Sequence, residues 1–198
     1  LLCTCLECVK ACEYLKEFEG YPKKYIREIS NNLSIVFGFR MAKSLVNSCS
    51  LCGLCTRVCP FEIGMAEVCS AARREMVAKG NMPPAIHDFP LRDMEFSNGE
   101  AASAVLVRPG THQAAFLFFP GCLLAASEPA YVRTLYRALS GFLQAEVAIA
   151  LRCCGAPALW AGRAEAFDQA IAKLRSIWKS LGGPPVITAC TSCSRVLG

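Results

Sequence analysis

The chain has 198 residues, 54% of them hydrophobic, and a formal net charge of +5. That length suits one ordinary domain or two small ones with a real core, and the composition excludes a disordered tail. The basic residues form no block and show no interleaving with aromatics, which argues against nucleic acid, and no apolar run reaches the length of a bilayer span.

Taken in chain order, three stretches differ. Residues 1–79 hold nine of the 14 cysteines, eight of them in two clusters. The first cluster is "LLCTCLECVKAC", with Cys3, Cys5, Cys8 and Cys12. A helix-like segment follows, in which Tyr25, Ile26, Ile29, Leu33, Val36 and Phe37 recur at helical spacing and read as core-facing. The second cluster is "CSLCGLCTRVCP", with Cys49, Cys52, Cys55 and Cys59. A further helix is expected from Ile63 to Lys79, stopped at Gly80. It carries Cys69, which fits no motif and reads as a small buried apolar residue.

Residues 80–113 contain "NMPP", "FP", "SNG" and "RPG", all turn or breaker signals, and are expected to form a linker. His87 and His112 lie there and read as ordinary surface or turn residues. From Ala114 the pattern alternates. "AAFLFFPGC", "AEVAIALRCCG" and "PPVITACTSC" read as strands that each end in cysteine. "SEPAYVRTLYRALSG" reads as a helix with Ser127 as N-cap, Pro129 in its first turn and Gly141 past its end. "AEAFDQAIAKLRSIWKSLGG" reads as a second helix, with Phe167, Ile171, Leu174 and Trp178 along one stripe. Strand–helix–strand–helix–strand implies a parallel sheet. Ligands of such sheets gather beyond the carboxyl ends of the strands, where Cys122, Cys153, Cys154, Cys190 and Cys193 all fall. The expected fold class is therefore α + α/β: an α-helical module over 1–79, a linker over 80–113 and a small parallel-sheet α/β domain over 114–198.

The cysteines carry the chemistry. In a small secreted protein they would suggest a disulfide framework. Here they are too tightly spaced, the amino terminus does not read as a signal peptide, and the chain is long enough to do without staples. Metal binding in a reducing, cytoplasmic compartment is the expectation. Cys49 to Pro60 is C-x2-C-x2-C-x3-C-P, the run that holds a cubane [4Fe–4S] cluster. Zinc rarely uses three-plus-one spacing with a trailing proline. In the first cluster the same spacings hold from Cys5 to Cys12, but the regular first position is Leu2, so Cys3 serves from a shifted place or a ligand lies upstream. Crossed ligation would set Cys49, Cys52, Cys55 and Cys12 around one cluster, and Cys5, Cys8, Cys59 and Cys3 around the other. The doublet Cys153–Cys154 is too close for ordinary disulfide geometry. An isolated "CTSC" or "CLEC" could be a redox dithiol, but each belongs to a larger set.

With a helical insert between its motifs, the first stretch resembles the α-helical ferredoxin module of heterodisulfide reductase and of fumarate reductase and succinate dehydrogenase iron–sulfur subunits. In the second, thirty residues separate Cys122 from Cys153-Cys154-Gly155, and thirty-five separate Cys154 from the Cys190-x2-Cys193 pair. This resembles the cysteine-rich CCG domain of heterodisulfide reductase, with relatives in glycolate oxidase and lactate-utilisation iron–sulfur subunits. The resemblance implies two cubane [4Fe–4S] clusters on residues 1–79. It implies a non-cubane [4Fe–4S] cluster on Cys122, Cys153, Cys154, Cys190 and Cys193, whose adjacent thiolates reach neighbouring irons. The implied role is an oxidoreductase subunit that takes electrons from a flavoprotein or another redox subunit and delivers them to a thiol–disulfide couple. The alternative is a non-catalytic relay in a flavin-linked organic-acid dehydrogenase, and a zinc-binding interaction protein ranks far behind. The implied location is cytoplasmic, peripheral to a membrane only through a partner. Heterodisulfide reductase has two CCG domains and this chain shows one, so the chain is expected to be a piece of something longer, with the second copy beyond Gly198 or on another chain.

Overall fold

The computed structural model describes residues 5–17, 22–34 and 40–198, with backbone only at 32, 34 and 40–43. Leu1, Leu2, Cys3, Val36 and Phe37 lie outside the described residues. The chain divides into two compact units, one of Leu1–His87 with Trp160–Arg163 and one of Asp88–Leu159 with Ala164–Gly198.

The first unit is helical: α1 (Glu7–Ala11), α2 (Glu13–Glu17), α3 (Pro22–Ser34), α4 (Arg40–Ser48), α5 (Leu54–Val58) and α6 (Met65–Ala78). The helical period read from Tyr25, Ile26, Ile29 and Leu33 is that of α3. Tyr25 and Ile29 are buried, with Leu15, Leu45, Val46 and Met65 in the same core. Each fully buried side chain of this size contributes about 1.5–3 kcal/mol, so these few residues anchor short helices that would not persist alone. α6 begins two residues later than its sequence suggests and ends at Lys79, whose N–H bonds the Glu75 carbonyl.

The second unit is α7 (Asp88–Asn98), β1 (Ala104–Leu106), β2 (Phe116–Phe119), α8 (Cys122–Ser127), α9 (Pro129–Leu143), β3 (Val147–Leu151), α10 (Ala156–Trp160, whose last residue groups with the first unit), α11 (Ala164–Ser180), β4 (Val186–Thr188) and α12 (Thr191–Leu197). The sheet runs β1-β3-β2-β4. β2 pairs parallel with β3, Phe118 opposite Ile149, and parallel with β4, Phe118 opposite Ile187. The three parallel strands are those read from the alternation. β1 adds an antiparallel edge, Val105 opposite Ala150, so the sheet is mixed. Alternation along β2 separates the two layers. Phe118 packs with Val132, Val147, Ile149 and the Leu135, Tyr136 and Leu139 stripe of α9. Leu117 and Phe119 face the Ile171, Leu174 and Trp178 stripe of α11.

Three local expectations are corrected. Residues 80–113 carry α7 and β1: the breakers of that stretch sit between elements and at α7's first turn, where Pro90 needs no N–H partner. Ser127 is the last residue of α8, not an N-cap, and its hydroxyl donates to the Leu123 carbonyl at 2.9 Å. α9 is entered through Glu128 and a proline in its first position. Gly141 lies inside α9, which runs on to Leu143 and ends where Gln144 turns left-handed at φ 47°.

Candidate iron–sulfur sites

The two N-terminal motifs fold as copies of one another. In each, a left-handed residue, Leu6 (φ 58°) or Gly53 (φ 78°), precedes a five-residue helix, α1 or α5. Each helix then ends at an extended cysteine, Cys12 (φ −119°, ψ 113°) or Cys59 (φ −83°, ψ 121°). The matching cysteines share environments. Cys5 and Cys52 are exposed, Cys8 and Cys55 buried, Cys12 and Cys59 half-buried. α1 packs against α5, which brings both sets into one neighbourhood, as crossed ligation requires. Cys49 stands before the second copy, and its counterpart position is Leu2, outside the described residues along with Cys3. None of the described cysteines forms a disulfide.

Cys69 is fully buried, as its sequence suggests, but it is not merely apolar filling. Its Sγ lies 3.9 Å from the Tyr14 hydroxyl and interacts electrostatically with the Cys49 thiol. This contact, with burial opposing it, pulls the Cys49 thiol down to about 6 and pushes Cys69 up. His87 bonds the Asn47 side chain at 2.8 Å, an ordinary structural role.

In the second unit the three parallel strands deliver all five cysteines to one edge. β2 leads through Pro120 and Gly121 into Cys122, the first residue of α8. β3 leads into Cys153 and Cys154, and β4 into Cys190, the residue before α12, with Cys193 one turn on. The thiols act electrostatically on their neighbours along the set, Cys122 with Cys153, Cys153 with Cys154, Cys154 with Cys193 and Cys193 with Cys190. Cys153, Cys154 and Cys193 are buried. In such a pool protons are shared unequally. Cys154 accepts from both Cys153 and Cys193 and falls to about 3. Cys122 accepts from Cys153 and falls to about 7. The two donors, Cys153 and Cys193, are pushed up for the same reason. Thiolates are the forms that bind metal, and here they are prepared by neighbouring thiols.

Two glycines make the pool possible. Gly121 has φ 90° and ψ 154°, and a Cβ there would sit 3.0 Å from the Cys190 Cβ and 3.2 Å from the Cys193 Sγ. Gly155 has φ 89°, and a Cβ there would lie 3.1 Å from both Ala170 and Phe167. α7 supplies the rest of the wall. Leu91 and Met94 pack against Cys122 and Cys153, and the Asn98 side-chain oxygen accepts the Cys153 N–H at 3.1 Å. These residues lie in the stretch read as a linker. The signal that finds them is the apolar spacing of Leu91 and Met94 between breakers, in a segment too short to stand out alone.

Among the described residues no three His, Cys, Asp or Glu side chains are placed to share one metal ion. The donor chemistry fits iron–sulfur clusters: sulfur throughout, in sets spread more widely than a single ion needs. Among the described residues no helix is long and apolar enough to cross a membrane.

Known proteins carry the same pieces. Residues 2–64 match the family model of a 4Fe–4S dicluster domain, and residues 116–198 that of a cysteine-rich domain called CCG. The chain is similar to the B subunit of the fumarate reductase (CoM/CoB) of Methanothermobacter marburgensis, 25% identical over an alignment covering 98% of this chain and 42% of that protein. It is also similar to lactate utilization protein B of Macrococcus caseolyticus, 29% identical over 59% of this chain and 24% of that protein. The chain thus spans less than half the length of these curated relatives. No solved structure matches it. The chain thus carries a 4Fe–4S dicluster ferredoxin-type domain followed by a cysteine-rich CCG domain, each on the cysteines just described.

Proposed function

We propose that this chain is the iron–sulfur electron-transfer and catalytic subunit of a heterodisulfide-reductase-like oxidoreductase. Residues 1–79 would hold two cubane [4Fe–4S] clusters on Cys3, Cys5, Cys8, Cys12, Cys49, Cys52, Cys55 and Cys59. Residues 114–198 would hold a non-cubane [4Fe–4S] cluster on Cys122, Cys153, Cys154, Cys190 and Cys193. The clusters supply one-electron storage and, in the second domain, a place for a thiol to bind. The reaction class is disulfide cleavage, in which two electrons and two protons convert one disulfide into two thiols, with a flavoprotein or another redox subunit as donor. The observation that carries this reading is the pooling of five cysteines at one edge of the parallel sheet, three of them buried. An ordinary four-thiolate relay has no use for a fifth sulfur or for adjacent thiolates. The reading places the protein in the cytoplasm, at a membrane only through a partner.

The chain's own residues contribute position and exclusion. Gly121 and Gly155 let the backbone approach where a side chain would displace sulfur. Met94 and Phe167 close the apolar side of the pool. The experiment is iron and acid-labile sulfide analysis of anaerobic protein, with low-temperature EPR during thiol and dithionite titration, on the wild type and Cys153→Ala. About twelve irons per chain, by the counting of three four-iron clusters, and a thiol-dependent signal lost in Cys153→Ala are expected. About eight irons with spectra indifferent to Cys153→Ala would refute the catalytic role.

A second reading has its own support. The similarity to lactate utilization protein B favours a relay subunit of a flavin-linked organic-acid dehydrogenase. In that case the CCG-domain signal would titrate as an ordinary one-electron couple and ignore added thiol.

A further inference from the structure

Met65, Ala66, Cys69, Ala72, Arg73 and Met76 form the buried face of α6. Arg73 is the misfit, a guanidinium only 2% exposed. Each of its three nitrogens donates to a carbonyl. Nε and Nη2 donate to Val46 at 3.1 and 2.9 Å. Nη2 also reaches the carbonyls of Asn47, at 3.3 Å, and Cys49. Nη1 donates to Trp160 at 2.7 Å. Carbonyls satisfy hydrogen bonds but bring no net charge, and a buried cation is costly without an opposite one. Among the described residues no carboxylate forms an ion pair with Arg73. The acidic groups whose field reaches it are the thiols of Cys49 and Cys69 and the Tyr14 hydroxyl, and of these Cys49 is the one that a cluster would hold as a thiolate.

The hydrogen bonds around Cys49 point the same way. Tyr14 has one hydroxyl proton, and it is donated to the Leu45 carbonyl at 2.7 Å. The fully buried Cys69 therefore faces two acceptors, the Tyr14 oxygen and the Cys49 sulfur. Once Cys49 is bound as a thiolate it is the stronger acceptor.

We propose that Arg73 is the built-in counter-charge of the cluster held through Cys49, and that Cys69 donates a hydrogen bond to the Cys49 sulfur, so that the two together make this cluster easier to reduce. The proposal rests on Cys49 being a ligand. Its physical basis is general: each reduction adds a negative charge, and a buried cation or a donor to ligand sulfur stabilises the reduced form. Arg73 acts through Cys49 and is a positioning residue.

The test is an EPR-monitored potentiometric titration with dithionite of anaerobic full-length protein, for wild type, Arg73→Gln, Arg73→Lys and Cys69→Ala. Arg73→Gln and Cys69→Ala are each expected to move one cubane couple to more negative potential and leave the other in place. Arg73→Lys, which keeps the charge, moves it less than Arg73→Gln. If Arg73→Gln fails to hold clusters, Cys69→Ala decides alone. Couples that stay put, or that move together, overturn the proposal. Cys49→Ser separates the two levels. Loss or a changed spectrum of one cluster upholds the ligand assignment whatever the potentials do, whereas two unaltered cubanes overturn that assignment and the proposal with it.

Discussion

Gly121→Ala tests whether the five-cysteine edge is built as described. The glycine sits at φ 90° and ψ 154°, a region essentially closed to residues with a Cβ. Forcing alanine into it costs about 1–3 kcal/mol. The new methyl would also meet the Cys190 Cβ at 3.0 Å and the Cys193 Sγ at 3.2 Å. Neither is the far end of a flexible chain, so overpacking adds about 1–3 kcal/mol. A fall in the unfolding temperature on the order of 10 °C follows. The matched control is Gly141→Ala. Gly141 lies within α9, and a Cβ there meets nothing within 4 Å. Alanine there should stabilise by about 0.5–1 kcal/mol, because glycine is the poorer helix former. Both variants are measured by thermal unfolding and by iron per chain after anaerobic reconstitution. Gly121→Ala should unfold early and lose iron from the second domain, while Gly141→Ala does neither. A Gly121→Ala protein with wild-type unfolding and full iron would refute the reasoning, since the glycine would then not be holding Cys122 against Cys190 and Cys193.

Tyr136→Phe removes the hydroxyl that donates to the Val147 carbonyl at 2.9 Å. A loss of about 1 kcal/mol in chemical denaturation is expected, with iron content unchanged. Asn98→Ala removes the acceptor of the Cys153 N–H. It should cost about 1 kcal/mol and alter the EPR signal assigned to the second domain while sparing the cubane signals. His87 gives a pH dependence. Burial, then the charges of Arg73 and Arg163, hold its pKa below the ordinary 6.5. The folded state therefore resists protonation, so its contribution is fully present above pH 6.5 and is lost as pH falls through the lowered value. Denaturation midpoints of wild type and His87→Gln should converge on acidification from pH 7.5 to 5.5 relative to their separation at neutral pH, and parallel curves would contradict this.

The sequence made the parallel strands and their cysteine ends legible because the apolar runs are short, continuous and closed by breakers or cysteines. "FLFFPGC" and "VAIALRCCG" admit little else. The first unit was legible through spacing alone: the same intervals from Cys5 to Cys12 and from Cys52 to Cys59 become the same turn, helix and extended cap. The order of the sheet was not written there. β3 follows β2 in the chain yet β2 lies between β3 and β4, and that order is set by long-range packing of α9 and α11 on opposite faces.

What escaped was carried by residues whose chemistry is decided by partners far away in sequence. Leu91, Met94 and Asn98 looked like part of a linker because the breakers around them are local, while their partner Cys153 is 55 residues from Asn98. Arg73 is a different case, since its oddity was visible. It stands one helical turn after Cys69 on a face otherwise made of methionine and alanine, and a charge in such a stripe signals a buried counter-charge. Its partner could not be named from pattern, because the carbonyls of Val46, Asn47 and Cys49 converge only once α4 meets α6. Motif spacing thus marks the candidate sulfur ligands. Arg73, the group proposed to ease reduction of one cluster, lies outside the motifs, and a charge on an apolar helix face is the sequence mark by which such a group can be sought.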